Sequence, residues 1–199
     1  MYYDEDLLLD LRLNILDKYI DFFVIVESEF YHNGKKRNLK FQIKNFEKFK
    51  NKIIYISQKK EPSGILKLNE NDDEGTKSYK LIFNAHLREN EQRNQIEQGI
   101  GSAEDNDLIL ISDVDEIPNL NSINLKKINN KIMMFEQDIF YYKFNRYLPN
   151  FTWYGTKGCK KKYLESFEKL RQIKPKKYPF YRLDTLLRND RYMNVNIIK

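Results

Sequence analysis

The chain has 199 residues, 41% hydrophobic and 14% aromatic, with 32% charged and a formal net charge of +6. This size suits one domain with its own core, and the apolar content excludes a disordered chain despite the many charges. One cysteine excludes an internal disulfide, two histidines complete no recognised zinc set with it, and no run approaches the roughly 20 apolar residues of a membrane helix.

Residues 4 to 19 read as an amphipathic helix. Leu8, Leu11, Ile15 and Tyr19 share one face, Leu9, Leu13 and Leu16 lie beside it, and Asp4 is placed as the N-cap. Residues 21 to 27 are an apolar, β-branched and aromatic run suited to a central strand, ending on the carboxylate of Glu27. The polar stretch 28 to 38, with His32-Asn33-Gly34-Lys35, is expected to be an exposed, mobile loop. A helix over 42 to 50 and a strand over 52 to 57 follow. From Gln58 to Lys77, Pro62, Gly64, Gly75 and the absence of periodicity predict a long flexible loop. A long helix is expected from Tyr79 to about Gln98.

The stretch Asp107 to Pro118 carries the most chemical information. Leu108 to Ile111 are four apolar residues in a row, fit for a strand buried on both faces, and the chain then breaks into Asp113-Val114-Asp115-Glu116 with Pro118 barring continuation. Open α/β sheets place polar chemistry beyond their strand ends in this way. Two carboxylates one residue apart can reach one divalent ion, and hard oxygen ligands select Mg²⁺ or Mn²⁺, whose remaining positions phosphate oxygens fill. Taken alone, Asp-x-Asp is a weak signal, and a solvated turn that caps the next helix is the more ordinary reading.

A short helix around 121 to 128 and strands over 131 to 136 and 139 to 144 complete the pattern. The alternation predicts an α/β fold in a single domain over 1 to 199, with a mainly parallel sheet and helices on both faces. Beyond Pro149 the pattern weakens. Trp153-Tyr154-Gly155 leads into a lysine tract, Lys157, Lys160 to Lys162, Lys169, Lys174, Lys176 and Lys177, read as a solvated face, and the chain closes on a strand at 196 to 199.

The run Glu91-Gln92-Arg93-Asn94 followed by DLILISDVDEIP, Asp107 to Pro118, resembles the glycosyltransferases of family 17, best known for β-1,4-mannosyl-glycoprotein 4-β-N-acetylglucosaminyltransferases. Asp6 to Leu16, Phe23 to Glu27 with Gly34-Lys35, and Tyr141-Tyr142 to Trp153-Tyr154-Gly155 are similar to further blocks of that family in the same order, so the resemblance covers residues 4 to about 155. It implies a GT-A-type, Rossmann-like fold, a UDP-sugar donor carrying N-acetylglucosamine, a divalent Mn²⁺ or Mg²⁺, a glycan or glycoprotein acceptor hydroxyl, and inversion at the anomeric carbon. Asp113 and Asp115 take the place of the metal and diphosphate motif, Arg93 and Asn94 match the donor-pocket motif, Glu27 is implied as a nucleoside contact and Lys35 as a phosphate contact.

Each assignment has an ordinary alternative. Arg93 is one helical turn from both Glu89 and Glu97 and can pair with either, Lys35 can belong to a solvated loop, and Trp153 can be core packing. The general base that inversion requires is open between Glu116, Glu136 and Asp138 by residue type. The chain starts inside the family's opening block, and residues 156 to 199 match it poorly, so a fold cut short at both ends is expected. Two competing readings stand beside the transferase. One is a nucleotide-sugar or glycan binding module without turnover, the other a nucleic-acid binder using the basic, tyrosine-containing tail. Partners are expected to exclude nucleic acid on the leading reading, and without an anchor a microbial or viral cytoplasmic setting is expected rather than the Golgi lumen.

Overall fold

Phe23–Ser28 (β1) and Ile53–Gln58 (β2) are the two β-branched and aromatic runs of the first half of the chain, and they pair in parallel from Phe23 opposite Ile53 to Ser28 opposite Gln58. The computed structural model describes residues 1–121, 123–125, 128, 130–174 and 195–198, and divides into two compact units, Met1–Ser102 and Ala103–Lys199.

In the first unit, α1 (Asp6–Leu16) buries Leu9, Leu13 and Leu16, whereas Leu7, Leu11 and Ile15 are exposed. The sequence offers two adjoining apolar stripes, and the second is the one that meets the core. The N-cap is Glu5 rather than Asp4, and it makes no side-chain capping bond, because its carboxylate turns back to accept the N–H groups of Tyr3 and Asp4. Past the helix, Lys52 Nζ donates to the carbonyls of Asp17 (2.7 Å) and Ile20 (3.0 Å), supplying partners for a helix end that lacks them. The expected helix over 42 to 50 is a 3₁₀ segment, Ile43–Phe49, kinked at Phe46. The kink buries the Phe46 ring, which stacks at 5.5 Å on Phe41, itself 4.6 Å from Tyr55.

The 28 to 38 stretch is an ordered hairpin, not a mobile loop. Phe30 bridges Lys36, Tyr31 N–H donates to the Lys35 carbonyl, and Gly34 turns the chain at φ +85°. The helix α2 (Glu74–Asn94) begins five residues before its expected start, at the N-cap Asp73, whose carboxylate accepts Thr76 N–H at 2.6 Å. Its largely buried polar face explains why the preceding segment is not the flexible loop predicted. Lys80, Asn84, Arg88 and Gln92 recur every four residues and form one polar stripe. Lys80 pairs with Asp72 at 2.6 Å, Asn84 exchanges two 2.8 Å bonds with the backbone of Leu66, and Arg88 pairs with Glu61 at 2.7 Å. Gln92 Nε2 completes the stripe on the Val26 carbonyl of β1 at 3.1 Å.

Where β1 ends, Glu27 is wholly buried and its carboxylate accepts Arg37 Nη2 (2.9 Å), Lys40 N–H (2.7 Å), Phe41 N–H (3.0 Å) and the Tyr55 hydroxyl (2.9 Å). Burial first, then the bond to Glu27, holds the Tyr55 phenol well above its ordinary pKa, so it stays a donor.

The second unit holds a four-stranded sheet of β3 (Leu108–Ile111), β4 (Ile132–Phe140), β5 (Tyr147–Lys160) and β6 (Val195–Ile198), in the order β3-β5-β4-β6. The β4/β6 pair is parallel, but β5 runs antiparallel to both of its neighbours, so the molecule is α/β with a parallel pair in one unit and a mixed sheet in the other. This corrects the mainly parallel expectation. The tight connection 141–146 between β4 and β5 dictates an antiparallel pair, since a parallel one needs a crossover of a dozen residues or more. The two strands expected over 131 to 144 are one strand with irregularities after Met134 and after Asp138. The central β5 went unpredicted, and part of the lysine tract belongs to it: Lys157 is buried, its ammonium bonded to the Arg171 carbonyl. A short helix α3 (Phe167–Gln172), capped by Ser166, buries Phe167 and Leu170. The helix expected over 121 to 128 rests partly on residues outside the described ones, as do Lys176 and Lys177. Among the described residues no helix is long and apolar enough to cross a membrane.

Two outcomes follow from these cores. Glu27→Gln leaves the Arg37 guanidinium, 4% exposed, without its counter-charge, and is expected to cost about 3 kcal/mol in urea denaturation, against about 1 kcal/mol for Tyr55→Phe. Cys159, fully buried in β5, has its thiol pushed up to about 11 by burial. At pH 8 it should stay unlabelled by a thiol reagent in the folded protein, and labelling should appear only along the denaturation curve of circular dichroism; fast labelling of the native chain contradicts its placement.

Candidate functional site

The acidic turn grows out of β3. Ile109 and Ile111 are buried against β5, where Leu108 to Ile111 pair with Lys160 to Lys157, and the chain leaves the sheet after Ile111. Glu116 N–H then donates to the Asp113 carbonyl (3.1 Å), while Glu116 Oε2 accepts Asp113 N–H (2.8 Å), closing Asp113 to Glu116 into a tight loop.

Glu116 is 6% exposed, and both its oxygens are engaged. Oε1 accepts the indole N–H of Trp153 at 2.7 Å and Arg171 Nη2 at 2.5 Å, and Oε2 accepts Arg171 Nη1 at 2.8 Å. The same guanidinium reaches Asp113 Oδ2 at 2.7 Å and the Gly155 carbonyl. Burial works against the charge on Arg171, but the bonds to Glu116 and the charges of Glu116 and Asp113 outweigh it and raise its pKa, so the clamp stays ionised. Gly155 has to be glycine here. A Cβ would lie 2.5 Å from Gln137 Oε1 and 2.6 Å from the Glu116 carboxyl carbon.

Asp115, at the apex, reaches solvent. Its carboxyl pKa is raised, by desolvation first and then by the charges of Glu116 and Asp113, with its own backbone N–H and Arg171 opposing. Among the described residues no group of three or more His, Cys, Asp or Glu side chains is arranged to hold a metal ion. With Glu116 committed to Arg171 and Trp153, the turn offers Asp113 and Asp115, a two-carboxylate oxygen set of the kind that holds Mg²⁺ or Mn²⁺ only together with phosphate and water ligands.

The other carboxylates singled out by residue type lie on β4. Glu136 is half-buried opposite Tyr154, and Asp138 is exposed opposite Thr152. Trp153 is not core packing: it is 44% exposed, with its N–H fixed to Glu116.

In the first unit, Gln92-Arg93-Asn94 forms the end of α2. Gln92 docks on the residue before Glu27, and Arg93, buried, pairs with Glu89 at 2.6 Å, the helical-turn partner that its spacing offered. Asn94 is half-buried beside it. Lys35 stands exposed in the hairpin turn, its N–H bonded to Asn33 Oδ1. Arg171 is the site residue that sequence reasoning missed. It lies 55 residues from Glu116 in an otherwise ordinary basic stretch, and no motif or spacing marks it.

Searches of curated proteins and of solved structures find no match to the chain. The family model of glycosyltransferase family 17 matches residues 1–175, and the chain therefore belongs to glycosyltransferase family 17.

Proposed function

We propose that this chain transfers a sugar, N-acetylglucosamine from a UDP donor, to a glycan hydroxyl with inversion, using a GT-A-type fold and a divalent Mn²⁺ or Mg²⁺ held by Asp113 and Asp115. The observation that carries this reading is the acidic turn at the end of a buried strand, where Glu116 is locked to Arg171 while Asp115 remains in solvent. A divalent ion bound there stabilises the charge that develops on the departing diphosphate. In the transfer, the acceptor oxygen forms its bond to the anomeric carbon as the carbon–oxygen bond to the diphosphate breaks, the electron pair leaving on the phosphate oxygen and the hydroxyl proton passing to a carboxylate.

Glu116 is a poor base, because each of its oxygens already accepts two donors, Oε1 from Trp153 and Arg171 and Oε2 from Arg171 and the Asp113 N–H, and a proton on either displaces them. It serves instead as a positioning residue, and Glu136 and Asp138, paired with Tyr154 and Thr152, lie on the strand face opposite Trp153, so neither faces the acidic turn. By resemblance to the family, Arg93 and Asn94 are assigned to donor binding and Lys35 to a phosphate contact. Glu27, saturated by four donors, acts by ordering the chain from Arg37 to Phe41 rather than by touching the nucleoside.

A transfer assay with UDP-N-acetylglucosamine, with and without Mn²⁺, tests this. Asp115→Ala is expected to lower kcat roughly a hundredfold, about 3 kcal/mol of barrier, with chelator giving a comparable loss. Full activity of the variant, or a rate indifferent to the cation, refutes the proposed role. Measurable UDP affinity with no turnover on any acceptor favours the binding module.

A further inference from the structure

The ribbon formed by β4 and β5 projects beyond the sheet that supports it. β3 pairs only with Lys157 to Lys160 and β6 only with Ile132 to Phe135, so between Glu136 and Tyr154 the two strands have no third partner among the described strands. At its far end Phe140 pairs with Tyr147 across the connection 141–146, and every residue from 140 to 147 is exposed. Five of them are aromatic, Phe140, Tyr141, Tyr142, Phe144 and Tyr147, and each is half-exposed or more. These rings lie against one another rather than against a core, with Phe140 5.8 Å from Tyr147 and Tyr141 5.3 Å from Tyr142. Tyr142 is 92% exposed and holds a φ of 61°. The left-handed region favours glycine or asparagine, so a tyrosine there gives up stability to keep a ring in water.

Charge is segregated along the ribbon. Glu136 and Asp138 lie at its root, opposite Tyr154 and Thr152, whereas from 139 to 154 the charged side chains are Lys143 and Arg146, both exposed at the tip. Two positive charges and no carboxylate thus stand among the five rings. Aromatic rings settle at the boundary between lipid headgroups and hydrocarbon, and Lys and Arg are drawn to anionic headgroups. Each cation near such a surface is worth about fivefold in affinity. The same surface repels the carboxylates at the root, so the ribbon meets it end-on.

Other partners suit the tip less. A single-stranded nucleic acid gains affinity from many phosphate contacts along a basic groove, and the tip offers two cations on a projecting turn. Two copies meeting tip to tip bring like charges together.

We propose that the Phe140–Tyr147 tip docks the chain on an anionic lipid surface, its rings entering the interface and Lys143 and Arg146 pairing with the headgroups. This docking goes beyond the transferase reading and does not depend on it.

Sedimentation of the full-length protein with lipid vesicles tests this. Phosphatidylcholine vesicles containing about one-third phosphatidylserine should bind it about 25-fold more tightly than pure phosphatidylcholine vesicles, and the advantage should shrink as salt is raised. Lys143→Gln with Arg146→Gln should remove that advantage, about fivefold for each cation. Tyr142→Ser with Phe144→Ser should lose about tenfold on both kinds of vesicle, both double variants being checked for folding by circular dichroism. Trp153, the chain's single tryptophan, sits at the root and its emission should stay unchanged, whereas Phe144→Trp should add emission that shifts to shorter wavelength on the anionic vesicles. Absence of binding to the anionic vesicles, or binding that both double variants leave unchanged, overturns the proposal. A single-stranded oligonucleotide held through these residues when vesicles are not overturns it in favour of nucleic acid. Self-association lost in the Tyr142 and Phe144 variant, again without vesicle binding, overturns it in favour of a second copy.

Discussion

A carboxylate taken out of water has to be bonded on every side, and this requirement organises both units. Each has one buried glutamate paired with an arginine, Glu27 near the end of an apolar strand with Arg37 and Glu116 just beyond one with Arg171. Removing one partner of such a pair leaves a buried charge uncompensated, so the surroundings are shaped to keep both. Around Glu27 the chain from Arg37 to Phe41 bends to deliver a guanidinium and two backbone N–H groups, and Phe41 is thereby set against Phe46 and Tyr55. Around Glu116, β5 gives up a side chain at Gly155 and lends the N–H of Trp153.

This arrangement separates carboxylates that hold the fold from those that remain for chemistry. Within DVDE, Glu116 is consumed by structure, Asp113 is shared with Arg171, and Asp115 alone stands toward solvent. A short acidic motif therefore contains different physical roles in adjacent residues, set by which side of the turn each one faces.

Much of this was legible in the sequence. β1 and β3 are continuous apolar runs that read as strands, although β3 buries Ile109 and Ile111 and leaves Leu108 and Leu110 half-buried rather than being buried on both faces, and the order of the blocks around DVDEIP led to the family that the family model bears out. β5 was not legible. Its buried centre is Gly155-Thr156-Lys157-Gly158-Cys159, a polar, glycine-containing string whose lysine hides inside by bonding a carbonyl. The same burial removes Lys157 from the solvated face expected of the lysine tract. The 58 to 77 stretch looked loose because its anchors are on another element: Lys80, Asn84 and Arg88 reach it from α2, and no local periodicity records contacts made by a helix still to come. Arg171 escaped for a similar reason, being joined to its partner only through the fold.

Arg171 also sets the charge that any anion meets at the acidic turn. By formal charge, three carboxylates, Asp113, Asp115 and Glu116, less the one positive charge of Arg171 leave two uncompensated. A donor diphosphate is itself an anion, and like charges at such short range repel it. On the proposed reading the turn cannot receive a bare diphosphate, and a nucleotide sugar arriving already neutralised by a divalent cation is the species its charge admits. On that reading, an arginine that holds a buried glutamate would also tune the charge an incoming ligand meets, through a residue that itself faces inward.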